Sequence, residues 1–115
     1  MGVCKFLMLL YLATAVHEVD VVARLAPKYN AVAEVKLWDG SRVDLLNEEY
    51  AIEADWTHKW AEGVGQCMYY ATVTGRKPAL MLLVRPGDSY KDIYRAQTVC
   101  TRLGIKLYLE RVHEE

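Results

Sequence analysis

Arg42-Val-Asp-Leu-Leu46, the short break Asn47-Glu-Glu49 and Tyr50-Ala-Ile-Glu-Ala-Asp-Trp56 form the stretch that decides how this chain folds. Both runs are short and rich in apolar residues, and the break between them carries turn formers, so they predict two antiparallel strands. In the second strand, alternation places Glu53 and Asp55 on one face and Ile52, Ala54 and Trp56 on the other. Asp44 then lies on the neighbouring strand, within reach of the same face.

Working outward, residues 31–38 alternate as well, with Ala33, Val35 and Leu37 on one side and Glu34 and Lys36 on the other. Asp39-Gly40 is a hairpin turn signal, because both residues accept positive φ. A three-stranded meander is therefore expected. Upstream, residues 17–25 keep helical spacing until Pro27. Downstream, Thr57 is placed to cap a helix over residues 58–73, ended by Gly75 and Pro78. Residues 79–84 are continuously apolar, as in the covered middle of a sheet. Asp88 or Ser89 then caps a last helix with Ile93, Ala96, Gln97, Cys100 and Leu103 as its inner stripe, closed by Gly104. Residues 105–110 form the final strand, with Ile105, Leu107 and Leu109 inward. The fold class is α/β, a mixed central sheet of about five strands flanked by helices in the order α-β-β-β-α-β-α-β, the last strand–helix–strand unit being a parallel crossover.

With 115 residues, 53% hydrophobic and 25% charged, the chain suits one compact domain and not a disordered class. A net charge of -1 excludes bulk attraction to polyanions, so any contact with nucleic acid must come from a local patch. Phe6-Leu-Met-Leu-Leu-Tyr-Leu-Ala-Thr-Ala-Val16 is too short to span a bilayer. Following Lys5 and ending in Ala13-Thr-Ala15, it reads either as a signal peptide over residues 1–15 or as the start of the first helix. Residues 16–115 make one domain in either case, exported in the first and cytoplasmic in the second, with no membrane contact in the mature form. Cys67 and Cys100 fall on apolar helix faces, where buried free thiols are the expectation. No cysteine or histidine spacing suits zinc, and no serine or cysteine nucleophile arrangement is evident. His17, His58 and His113 lack metal-ligand spacing. Gly63-Val-Gly65 lies inside a helix and is not a phosphate loop.

Clustered carboxylates repel unless a cation or a proton compensates. Asp44 and Glu53 are thus candidate ligands for Mg²⁺ or Mn²⁺, with Asp55 beside them and Lys59 as the nearest basic group. On the helix that follows, Lys59, Gly63, Gln66 and Tyr70 form one polar stripe, and Trp60, Val64, Cys67 and Ala71 the apolar one. Arg42, Lys36 and Lys59 are available for phosphate contacts, and Trp38 or Tyr69 for stacking on a base.

Arg42-Val-Asp-Leu-Leu46, Ala51-Ile-Glu53, Trp60-Ala-Glu-Gly-Val-Gly-Gln66 and Tyr69-Tyr70-Ala71 together resemble the core of the PD-(D/E)XK, or restriction-endonuclease-like, superfamily over most of the region from about residue 17 to 105. The resemblance implies a metal-dependent nuclease acting on DNA or RNA, in which Asp44 and Glu53 match the metal ligands. Glu18 matches an assisting glutamate of the first helix, and Gln66 a glutamine that some branches carry on the following helix. A homodimer is a common arrangement of such small folds. The departure is Asp55, which stands where the family has a lysine and shifts that role to Lys59. A migrated lysine and an inactive descendant, kept as a nucleic-acid-binding or structural module, both satisfy this pattern.

Overall fold

The computed structural model describes residues 17–113. The apolar run and the Ala13-Thr-Ala15 pattern lie outside the described residues. The element order is α1 (Glu18–Leu25), β1 (Val32–Lys36), β2 (Arg42–Leu46), β3 (Tyr50–Trp56), α2 (Trp60–Thr74), β4 (Lys77–Val84), α3 (Tyr90–Leu103) and β5 (Lys106–Arg111). The five strands form one sheet in sequential order, β1-β2-β3-β4-β5. The first three are antiparallel neighbours, and β3, β4 and β5 are parallel. The expected mixed sheet and helix order are therefore the observed ones.

Two apolar layers enclose the sheet. On one face Ile52 and Ala54 of β3 and Ala79, Met81 and Leu83 of β4 pack with Val21 and Val22 of α1. On the other, Leu80 and Leu82 pack with Cys67 of α2 and with Ala96 and Cys100 of α3. Parallel strands covered on both faces need apolar residues at every position, which explains the uninterrupted run in β4. Cys67 and Cys100 are free and buried.

Local chemistry departs from expectation at several places. Thr57 does not cap α2: it starts a short 3₁₀ turn, and its buried hydroxyl donates to the Leu83 carbonyl at 3.3 Å. For α3 the expected choice between Asp88 and Ser89 is met by Ser89, which accepts the Lys91 N–H, while Asp88 accepts the N–H of Arg85. Pro27 ends the α-helix, but the chain continues as a 3₁₀ turn to Tyr29. Gln97 and Leu103 of α3 and Leu109 of β5 are exposed, because Ala96 and Cys100 carry the helix contact and β5 is an edge strand. Tyr108 and Glu110 instead face the α1 side, where Tyr29 hydrogen-bonds the Glu110 carboxylate and Lys28 pairs with it at 2.6 Å.

The alternation of β1 also breaks. Glu34 has φ of 57°, a left-handed conformation unusual for a residue with a long side chain. Ala33 consequently packs on the α1 side, whereas Val35 and Leu37 pack with Val43, Ala51 and Tyr70 beside α2.

The face of α2 is redistributed too. Its buried residues are Gly63, Cys67, Tyr70 and Ala71, with Trp60 and Val64 half-buried and Gln66 exposed. Gly63 and Tyr70 thus belong to the packed face and not to a solvated stripe. A Cβ on Gly63 would stand 2.6 Å from Leu80 Cδ1 and 3.1 Å from Asp55 Oδ2, and Leu80 is fully buried, so its methyl can move only against packed neighbours. Gly63→Ala is therefore expected to destabilise the fold by about 1–2 kcal/mol, since overpacking outweighs the ~1 kcal/mol gain in helix propensity. A urea midpoint that falls without a change in slope would agree; a higher midpoint would show that the helix can retreat from β3.

Candidate metal centre

The backbone ladder between β2 and β3 pairs Leu45 with Ile52 and Leu46 with Ala51. Beyond it, among the described residues, β2 stays paired with β1 through Arg42, while β3 stays paired with β4 through Trp56. The strands part where Asp44 and Glu53 stand. Asp44 takes over the lost backbone partner, its Oδ2 accepting the Ala54 N–H at 2.8 Å. A strand left without a neighbour retains unpaired amides, and a short acidic side chain on the departing strand satisfies one of them. That bond also fixes the carboxylate against β3.

Glu18, in the first turn of α1, completes the centre: one carboxylate oxygen each from Glu18, Asp44 and Glu53 lie within 4.8 Å of one another. These three side chains meet at one place and can together bind a divalent cation. Glu53 is only 6% exposed, and its Oε2 is buried without a hydrogen-bond partner. A buried carboxylate oxygen normally has a donor, and leaving one bare costs several kcal/mol unless a proton or a metal takes its place. The donor set is oxygen-only, which suits a hard divalent cation.

The electrostatics agree. Burial, followed by the charge of Asp44, pushes Glu53 well above the usual carboxylate range. Burial also raises Asp44, against the opposing effect of the Ala54 N–H. Glu18 is pushed up to about 7 by burial and then by Asp55 and Asp44. Asp55, also 6% exposed, rises to about 6 through burial and the nearby Glu62. Lys59, an exposed residue of the 3₁₀ turn before α2, acts the other way: its ammonium lowers both Glu18 and Asp55.

Of the residues singled out from sequence, Glu18, Asp44 and Glu53 converge; Asp55 lies alongside under Gly63, and Lys59 is close enough to act on Glu18 and Asp55 by charge. Tyr70 is buried against Val43 and Ala51, where Glu53 and Asp44 raise its pKa after burial itself. Gln66 is exposed on α2. His58 is exposed and outside the cluster. Two further acids contribute that sequence reasoning left aside. Glu34, opposite Asp44 in the hairpin, raises both Glu18 and Asp44, and Glu62 raises Asp55. A two-residue Asp39-Gly40 turn would set Glu34 opposite Leu45; the observed pairing of Val35 with Val43 and of Lys36 with Arg42 shifts it opposite Asp44.

The four acids shift in one direction. Glu18, Asp44, Glu53 and Asp55 all have folded-state pKa values above those of an unfolded chain, so the native state holds protons more tightly. Their contribution is fully present below about pH 4 and is lost as pH rises through the folded values. The metal-free protein should thus melt at a lower temperature at about pH 8 than at about pH 5.5, and added Mn²⁺ should restore more stability at the higher pH, because it competes with those protons. Thermal melts at the two pH values with and without Mn²⁺ check this; a metal-induced rise that is larger at the lower pH would contradict it.

No family model, curated protein or solved structure matches the chain. Among the described residues, no helix is long and apolar enough to cross a membrane.

Proposed function

We propose that the protein is a Mg²⁺- or Mn²⁺-dependent nuclease, a variant of the PD-(D/E)XK type with its lysine displaced, hydrolysing phosphodiester bonds of DNA or RNA. The observation that carries the reading is the unpartnered, buried Oε2 of Glu53 within a three-carboxylate cluster. A purely structural acid cluster would be expected to satisfy that oxygen. The topology and the sequence resemblance over Asp44, Glu53 and the α2 segment support the same reading.

In this proposal Glu18, Asp44 and Glu53 hold the cation. Bound there, it would polarise the scissile phosphate and lower the pKa of a water. Asp44 is held by the Ala54 N–H and so keeps its carboxylate aimed at the gap between β2 and β3. Asp55 is an additional acid on the same face of β3. Lys59 supplies positive charge to an otherwise anionic centre, where it can orient water or offset charge on the phosphoryl oxygens. Gln66 and Tyr70 are not assigned to the chemistry. Gln66 is exposed, and Tyr70 serves as a packed wall beside the acids.

The test is cleavage of plasmid and single-stranded substrates with Mn²⁺, wild type against Glu53→Gln, alongside calorimetric titration of Mn²⁺. Uptake and cleavage that both disappear in the variant support the nuclease. Uptake without cleavage supports a metal-binding relative that has lost activity, and no uptake removes the metal centre altogether.

A further inference from the structure

The β1–β2 hairpin ends in Trp38, whose side chain is 85% exposed, more than that of any other large apolar residue described. At that exposure the indole takes no part in the core, and its face is open to a planar ligand. Lys36 and Arg42, which face each other across the hairpin just below it, are both exposed. Neither has an ion-pair partner among the described residues. The hairpin tip is also anchored: Asp39 accepts hydrogen bonds from the N–H and hydroxyl of Ser41 and from the Tyr69 hydroxyl of α2. Those bonds engage the one acid at the tip and hold Tyr69 in place, so Tyr69 is an anchor and Trp38 the free aromatic.

Arg42 and Asp44 are two residues apart on one strand, hence about 7 Å apart along it. A cation at Arg42 and a metal held at Asp44 then have about the spacing of successive phosphates along an extended strand. We propose that this hairpin tip is a single-strand platform, with a nucleic-acid base stacked on Trp38 and its flanking phosphates at Arg42 and Lys36, leading the next phosphate toward the Asp44 gap. This rests on the nuclease reading for its direction toward the centre, but not for the binding itself. A single strand is favoured over a duplex because only an unpaired base offers its full face to an indole, and the two cations are too few to hold a duplex by its phosphates.

The experiment is anisotropy of a fluorescein-labelled short oligothymidylate, and of a duplex of equal length, titrated with the protein in EDTA, where no cleavage occurs. The single strand should bind tighter than the duplex. Trp38→Ala should weaken single-strand binding by about ten-fold. Arg42→Ala should weaken it and reduce the slope of log affinity against log salt by about one. Both side chains are exposed, so unchanged melting curves will show that the fold is intact. Binding that Trp38→Ala and Arg42→Ala leave as in wild type, equal binding of duplex, or no binding of either probe overturns the platform. Cleavage by Mn²⁺-loaded protein with no change in these variants would keep the nuclease and discard the hairpin. Oligonucleotide binding that the variants weaken, in a protein that neither binds Mn²⁺ nor cleaves, would do the reverse.

Discussion

Under the proposed nuclease reading, Glu53→Gln is expected to lower Mn²⁺-dependent cleavage by about a thousand-fold while making the metal-free protein harder to melt. The two effects have one origin. Glu53 is buried, its Oε2 lacks a donor, and burial together with the Asp44 charge keeps its proton on far above the usual carboxylate range. In the unfolded chain the same residue ionises near pH 4, so folding at neutral pH must either take up a proton or bury a charge. Glutamine has the same shape, no charge, and an amide able to donate to the Asp44 carboxylate. Removing the conflict should stabilise the metal-free fold by about 1–3 kcal/mol, because the variant no longer has to take up that proton on folding. With Mn²⁺ the order reverses, because the wild type gains binding energy that the variant has lost. Melting curves with EDTA and with excess Mn²⁺, read beside a cleavage assay, separate the cases. A variant less stable than wild type in EDTA would mean that Glu53 has a structural partner and that the metal reading is wrong.

Most of the sheet was legible because its signals are local. Asp39-Gly40 names a hairpin, Asn47 to Glu49 a turn, and the unbroken apolar run of β4 a strand covered on both faces; each needs only a few neighbouring residues to be read. What was not legible depends on which element lies opposite. Tyr70 and Gly63 carry no clear hydropathy, a hydroxyl in one and no side chain in the other, so helical spacing alone put them on the solvated stripe. Contact decides otherwise: Tyr70 fills the space over Val43 and Ala51, and Gly63 lets α2 approach Leu80. Thr57 shows the same limit. A threonine before a helix reads as a cap, yet β4 lies within reach of its hydroxyl, and burial favours the Leu83 carbonyl. Leu109 reads as an inward residue, but nothing among the described residues covers that part of the edge strand as fully as α1 covers Tyr108 and Glu110.

The centre divides along the same line. Asp44 and Glu53 were readable because adjacent antiparallel strands bring them together whatever the rest of the chain does. Glu18 came only through resemblance, since no local rule places the first turn of α1 beside β2. The separation of β2 from β3 was not readable at all. It follows from a division of partners, β2 remaining with β1 and β3 with β4, and it opens the gap through which a residue of α1 meets acids of the sheet. Glu34, with its left-handed backbone at the level of this gap, marks where the hairpin twists away.

Under the proposed nuclease reading, Lys59→Met is expected to leave Mn²⁺ uptake at about pH 9, above the Glu18 transition, intact or slightly tighter, while reducing cleavage by about a hundred-fold. The ammonium lies near enough to lower Glu18 and Asp55, and it belongs to an exposed turn where a methionine of similar length is tolerated. Removing it takes away a cation that competes electrostatically with the metal, so affinity does not fall. The same removal withdraws a positive group from the charge that develops on the phosphoryl oxygens, for which a single well-placed donor is worth about a hundred- to a thousand-fold in rate. It also lets the pKa of Glu18 rise further, because the one influence that lowers it through Lys59 is gone. The acid limb of metal binding should therefore move to higher pH in Lys59→Met, a shift that a lysine acting only on a distant phosphate would not cause. Lys59→Arg, which keeps the charge but spreads it over a plane, should preserve the acid limb and recover only part of the rate. Cleavage that survives in Lys59→Met at the wild-type rate would sink the displaced-lysine proposal while leaving the three-carboxylate centre in place, and the positive charge would then have to come from another residue near the gap.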